Sequence, residues 1–378
     1  MKLLFISNVG YRFNSFASAS SAAANDQGIE FHIASNWSGY DDDKIKYEDE
    51  EKYGVIIHQI DFVRTPYDPG NIKAYRQVVN LIKQEKFDII HCNTPIGGVV
   101  GRLAGHRCRV RKVIYQAHGF HFYKGAPFVN WILYYPIERW LAHYTDILIT
   151  INQEDYARAR SFKLRDHGKV FHVPGVGIDT SNYVTKDVVR ENKRNELNLK
   201  STDIAVISMG DLIERKNYRI SIEAIARTND PNIHYFICGQ GRQEEELRSL
   251  VKKLAMERQI HFLGYRTDIK ELLQGADIFL FTTLQEGLPR SMMEAMASGL
   301  PCIASKVRGN TDLLKEGENG YLISPNDVEG FAAAIISLAG DDKARKEIGI
   351  NNIKRMIDFS FDTAETALFN IYKTVLGG

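Results

Sequence analysis

An excess of charge is the first thing this sequence lacks: 48 lysines and arginines stand against 47 aspartates and glutamates, a formal net charge of +1 over 378 residues. A protein that tracks nucleic-acid phosphates normally carries a clear basic surplus, so this balance argues against nucleic acid as the main partner. Cysteine is sparse too. Cys92, Cys108, Cys238 and Cys302 lie far apart in mostly apolar surroundings, with neither metal-ligand spacing nor a disulfide framework, and are expected to be reduced core thiols. No apolar run approaches the length that spans a bilayer, and the opening run at 3–6 is too short for the core of a secretory signal. A cytoplasmic protein is the expectation. What is present, 44% hydrophobic and 25% charged residues, is the composition of a folded chain long enough for two domains.

Residues 3–6 read as a buried strand, after which Asn8-Val9-Gly10 leads into a small-residue helical segment at 15–25. Further strands are predicted at 31–34, 55–60, 87–92, 113–117 and 147–151, with helical stretches between several of them. Such alternation implies an α/β domain with a parallel sheet covered on both faces. The charged segment 41–52 reads as a loop or exposed edge. A proline- and glycine-rich connection, Val173-Pro174-Gly175-Val176-Gly177, separates a first domain at 1–175 from a second at 176–360, where a fresh alternating series begins with a strand at 204–209. Two doubly wound sheets of this kind imply a cleft between them. An amphipathic helix closes the sequence at about 361–378.

The second domain carries most of the candidate chemistry. An apolar strand at 277–282 leads into Glu286-Gly287-Leu288-Pro289 and then a helix containing Glu294. Helix starts offer free N–H groups to anions, and carboxylates beside them accept hydrogen bonds from sugar hydroxyls. The pairing of phosphate and polyol points to a nucleotide sugar; a solvated acidic loop before an ordinary surface helix is the alternative. The strand at 204–209 opens into Gly210-Asp211-Leu212-Ile213-Glu214-Arg215-Lys216, placing two cations just before a helix start, where they can grip a diphosphate. Gly239-Gln240-Gly241 ends another strand but lacks the last glycine of the dinucleotide fingerprint, so it is poor support for NAD. The turn Gly264-Tyr265 offers a place for a base, with Asp268 as cap of the next helix.

In the first domain, His118 follows the strand at 113–117, and ligands in open parallel sheets bind beyond such strand ends. A histidine satisfied by its own loop is the competing reading, for His118 and for His121. Arg102, Arg107, Arg109, Arg111 and Lys112 cluster ahead of an aromatic-rich helix at 128–144. Either the aromatics fill the core while the arginines are solvated, or the pair forms a surface for anionic lipid.

Taken together, Gly210…Arg215-Lys216-Asn217, Gly239-Gln240-Gly241, Phe262-Leu263-Gly264, Glu286-Gly287-Leu288-Pro289…Glu294-Ala295-Met296-Ala297, Pro301, Gly309 and Asn319-Gly320 resemble the retaining glycosyltransferases of family 4, which have the two-domain GT-B fold. The run His118-Gly119-Phe120-His121-Phe122-Tyr123-Lys124-Gly125 resembles transferases of bacterial capsule and exopolysaccharide assembly. The resemblance implies that Lys216 and Arg215 hold the donor diphosphate and that Glu294 takes the ribose hydroxyls. It implies that Glu286 and Leu288 meet the donor, Glu286 at its sugar, and that His118 lines the reaction centre. The Gly264-Tyr265 turn would meet the base and Gly10 would lie near the diphosphate, while Gly239 and Gly241 are donor-binding candidates whose turn lets the protein backbone approach closely. The closing helix at about 361–378 resembles the family's final helix, which packs back toward the first domain. Two departures stand out: paired glycines are missing around Gly10, and Asp211 occupies a position where many members carry an arginine. Beyond the nucleotide-sugar donor, for which a UDP-sugar is expected, the resemblance implies no metal and no cofactor; the expected acceptor is a polyprenyl-diphosphate-linked saccharide, with contact at the inner membrane face. An epimerase or hydrolase of the same fold, and a binding protein without turnover, are the competing functions.

Overall fold

The computed structural model describes residues 1–8, 10, 13, 15–38, 43–183 and 186–376; Val9 and Tyr11 of the first loop, Asp41 and Asp42 of the charged segment, and the last two residues lie outside the described ones. The chain divides into two compact units, Met1–Gly177 with Phe361–Gly378, and Ile178–Ser360.

The N-terminal unit is built on seven strands: β1 (Lys2–Ile6), β2 (Glu30–Ser35), β3 (Val55–Gln59), β4 (Ile89–Asn93), β5 (Lys112–Ala117), β6 (Ile147–Thr150) and β7 (Lys169–His172). They lie in the order β3-β2-β1-β4-β5-β6-β7, all parallel. Their near-continuous apolar sequences reflect burial on both faces. The second unit has six: β8 (Ile204–Met209), β9 (Ile233–Cys238), β10 (Ile260–Gly264), β11 (Ile278–Phe281), β12 (Cys302–Ser305) and β13 (Gly320–Ile323), in the order β10-β9-β8-β11-β12-β13, again all parallel. In each sheet the winding direction reverses once, between β1 and β4 and between β8 and β11. Loops diverge there at the carboxyl ends of the strands and leave a crevice, which is where ligands bind in such sheets. The closing helix Phe361–Leu376 belongs to the N-terminal unit, where Phe369 accepts a hydrogen bond from Gln27 and Tyr372 lies 2.7 Å from the buried His91 ring.

Four details differ from the sequence reading. The charged segment forms a helix, Asp43–Tyr53, with no buried residue; it has no apolar stripe to betray it, but Asp43 in its first turn and Lys52 in its last complement the helix dipole. Arg102 is not part of a solvated basic face. It is fully buried, with its guanidinium 3.8 Å from the centre of the Tyr115 ring and donating to Glu138 at 2.8 and 3.2 Å. The helix Phe128–Ala142 buries only Leu141 and Ala142, so its aromatics do not simply fill the core: Trp131, Tyr134 and Tyr135 pack against it, while Phe128 is 77% exposed. Asp268 stands at a helix start without capping it, because its carboxylate is taken by Arg266 and Lys193, which hold it well below the usual carboxylate range. Of the cysteines, Cys92, Cys238 and Cys302 are buried and Cys108 is half-buried, all four as free thiols.

Candidate functional site

In the second unit, the loops after β8 and β11 meet at the reversal point. The chain leaves β8 through Gly210, makes a short 3-10 turn over Glu214–Lys216 and passes Asn217 into the helix Tyr218–Thr228. Asn217 adopts the left-handed region (φ 55°), which asparagine tolerates better than most residues, and its amide donates to Thr282 and Pro325 carbonyls. Leu284 N–H donates to the Arg215 carbonyl at 2.8 Å and Thr283 Oγ1 lies 3.1 Å from the same oxygen, so the two loops are held together at Arg215. Lys216 is thereby fixed in position.

Glu286 sits at the centre of this seam. Its buried Oε1 accepts from Lys216 Nζ at 2.8 Å, Arg215 Nη1 at 2.9 Å and Thr283 Oγ1 at 2.8 Å, while Arg308 Nε holds its carbonyl at 3.1 Å. Two cations thus converge on one carboxylate oxygen at the mouth of the crevice. Arg215 is the more open of the two, and Lys216 lies 4.7 Å over the Phe281 ring. Thr283 and Arg308 were missed by sequence reasoning; the only signal for Thr283 is a small hydroxyl directly after an apolar strand. Asp211 is exposed in the same loop.

The remaining candidates in this unit fall into two kinds. Gly239 (φ 152°) and Gly241 are glycines because the loop after β9 packs directly on the loop after β8: a Cβ on Gly239 would collide with the Gly210 carbonyl, and one on Gly241 with the Leu212 backbone. Hydrogen bonds from Gly210 to Cys238 and from Leu212 to Gln240 run across that contact. Their close approach is therefore to protein backbone. Gly264 (φ 66°) closes β10 and receives the Gly239 N–H, leaving Tyr265 with an exposed ring. Leu288 packs against the core beneath the Glu286 loop. Glu294 lies in the helix Arg290–Ala297, whose Met292, Met293 and Met296 are buried, and accepts from Arg290 Nε at 2.9 Å. Tyr183, also missed from sequence, is buried beside it; burial and the Glu294 carboxylate push its phenol up.

In the N-terminal unit His118 follows β5, and its Nε2 lies 2.9 Å from Asn93 Oδ1 at the end of β4. An amide oxygen only accepts, so Nε2 carries the proton. Burial pushes this histidine down to about 4, making it a neutral ring at physiological pH. The next residue after Asn93, Thr94, has φ 64°, a left-handed conformation that is unusual for a β-branched side chain and clusters with function when it occurs at strand ends. Asn93 itself carries no mark in the sequence beyond its place at a strand end. Gly10 packs closely, with a Cβ there meeting Ser35 and the Trp37 ring.

His58, His91 and His118 all have folded values below the ordinary 6.5, at about 4, 3 and 4, each chiefly through burial. Unfolding therefore takes up protons below pH 6.5, and the stability these neutral rings contribute is complete above that pH and is lost as the pH falls toward 4 and 3. Thermal unfolding at pH 4.5 should occur on the order of 10 °C below that at pH 7. Equal midpoints would contradict the assignment of these rings as buried and neutral.

Similarity to known proteins gives the class, a glycosyltransferase. A family model described as "Glycosyl transferases group 1" matches residues 189–355, and one described as "Glycosyltransferase Family 4" matches residues 18–182. The chain is 35% identical to EpsD of Bacillus subtilis (strain 168), named as a glycosyltransferase, over 99% of this chain and 97% of that one. It is 29% identical to the UDP-Gal:alpha-D-GlcNAc-diphosphoundecaprenol alpha-1,3-galactosyltransferase of Escherichia coli, over 76% and 77% of the two chains. Among solved structures, Anabaena Alr3699/HepE in complex with UDP and glucose superposes with a TM-score of 0.79 at 22% identity, covering both chains completely. The protein belongs to glycosyltransferase family 4, and its fold is GT-B.

Proposed function

We propose that the protein transfers a hexose or N-acetylhexosamine from a UDP-sugar to a polyprenyl-diphosphate-linked saccharide, with retention and without a metal, at the cytoplasmic face of a membrane during surface polysaccharide assembly. The observation that carries this reading is the convergence of Lys216 and Arg215 on Glu286 at the β8/β11 reversal point. A UDP donor and a lipid-linked acceptor are supported by the name of the Escherichia coli relative.

Cleavage of the sugar–phosphate bond proceeds through an oxocarbenium-like transition state and leaves charge on the diphosphate. Lys216 and Arg215 stabilise that charge, and the fixed loop means that little reorganisation is needed as it develops. Their shared partner Glu286 turns toward donor sugar hydroxyls once phosphate oxygens compete for the cations. Glu294 takes the ribose. His118, neutral and with its Nε2–H directed to Asn93, serves the transferred sugar as a hydrogen-bonding group rather than a cation. The acceptor attacks from the face the phosphate leaves, and a phosphate oxygen takes its proton, so no protein nucleophile is required.

The test is release of UDP from a panel of UDP-sugars with and without polyprenyl-linked acceptor. Acceptor-dependent release is expected; isomerisation or hydrolysis independent of acceptor would place the protein with epimerases or hydrolases, and binding without turnover would make it a carrier. For the ribose assignment, Glu294→Ala should weaken UDP about tenfold, the value of one or two charged hydrogen bonds, with an unchanged melting temperature. Calorimetric titration giving equal affinities would remove Glu294 from the site.

A further inference from the structure

The N-terminal unit contains an apolar groove of about 880 Å³. Its floor is the helix Pro95–Cys108, which starts at the end of β4. One wall is the helix Gly70–Glu85 with the segment before it, and the other is the helix Phe128–Ala142. Ile72, Ile96, Val99, Val100, Leu103 and Ile137 line it. Ile96 to Leu103 covers eight residues of helix, or about 10 Å of groove. One end holds Asn8 and His118. Beyond the other, Leu103 is shared with a depression carrying Arg107, Arg109 and Arg111.

A saccharide in this groove would need partners for its hydroxyls. Most of the lining surface is carbon; of its two carboxylates, the half-buried Glu138 is already taken by Arg102 and lies 3.5 Å from the Tyr115 hydroxyl, and Asp68 Oδ1 accepts from the Gly70 N–H at 2.8 Å. Water there gains little, and an apolar chain displaces it favourably. Arg64 is the one lysine or arginine lining the groove, and it has no carboxylate partner among the described residues. A hydrocarbon channel with one available cation fits an apolar chain that ends in phosphate. The helix that walls the groove also carries apolar surface: Ile137 lines the groove, and on the same helix Phe128, Val129, Ile132 and Trp140 are exposed. Exposed apolar residues beside a basic rim are the pattern of a surface that meets anionic lipid.

We propose that this groove seats the prenyl chain of the lipid-linked acceptor next to its phosphates, with Arg64 on the phosphate and the saccharide carried toward His118. The proposal rests on the reading of the acceptor as lipid-linked. Its probe is a benzophenone-bearing farnesyl diphosphate, photolysed with the full-length protein and mapped by peptide mass spectrometry. Label is expected in peptides covering 64–75, 95–103 and 128–138, and should be displaced by undecaprenyl phosphate but not by UDP. Ile72→Asp and Ile137→Asp alter partly exposed positions and should fold normally; each should cut labelling roughly tenfold, as expected for losing one apolar contact and placing a charge beside the chain. Arg64→Ala should weaken the diphosphate probe several-fold and leave the corresponding prenol probe unchanged. Label spread over the chain, or insensitive to both aspartates, overturns the proposal. So does equal displacement by phosphatidylglycerol vesicles, which would make the groove a seat for bilayer lipid, or by a water-soluble saccharide. Labelling as expected, in a protein that transfers sugar to no lipid-linked acceptor, would retain the groove and remove the acceptor reading; lipid-dependent transfer indifferent to both aspartates would do the reverse.

Discussion

Lys216→Ala is expected to lower kcat/KM by roughly 10²–10³-fold, the usual consequence of removing one fixed donor from a group that stabilises developing charge. The loss should fall mainly on kcat, because the leaving diphosphate carries more charge in the transition state than in the bound donor. The fold should survive. Glu286 keeps Arg215 and Thr283 as partners on the same oxygen, and the Asn217 and Thr282 hydrogen bonds that shape the loop do not involve the lysine side chain. Glu286→Gln offers the complementary reading, since it keeps the shape but leaves both cations without their carboxylate. A Lys216→Ala protein with normal melting temperature and normal turnover would remove the cation pair from catalysis.

His118→Ala should reduce kcat about 10²-fold while leaving UDP affinity unchanged, because the ring is proposed to serve the reacting sugar and not the nucleotide. A ring pushed down to about 4 by burial is neutral throughout the neutral range, so no titration of His118 should shape the rate between pH 6 and 8. Asn93→Ala is the companion measurement. It removes the acceptor that holds the Nε2 proton and should reproduce part of the loss without touching substrate binding. Equal loss of UDP affinity and kcat in His118→Ala would point to a folding defect or a nucleotide contact.

Much of this architecture is legible in residue pattern. β8 and β9 coincide with the strands read at 204–209 and 233–238, since an apolar run of six flanked by turn residues has few other uses in an alternating series. The helix Asp43–Tyr53 escaped because periodicity reasoning looks for an apolar stripe, and this helix has none to bury. Arg102 was misjudged for a different reason: what neutralises it, Glu138, is 36 residues away, and no local feature announces a buried pair. The outer face of Phe128–Ala142 carries the same lesson, since an aromatic residue's burial depends on what packs over it. At the candidate site, the cations and glutamates stood out as motifs, whereas Thr283, Arg308, Tyr183 and Asn93 acquire meaning only from the contacts that folding gives them. The two glycines after β9 acquire a structural cause as well, because their backbone crosses that of the loop after β8.

The central claim is that the nucleotide sits at the β8/β11 reversal point of the second unit. Hydrogen exchange with and without UDP tests it directly. UDP at a concentration near the wild-type Kd should slow exchange in peptides covering 210–217, 263–266 and 282–295, and at the same concentration the slowing should fall roughly fivefold in Glu294→Ala, as a tenfold weaker affinity requires. Protection confined to residues 1–177, or none at all while UDP binds, would contradict the account.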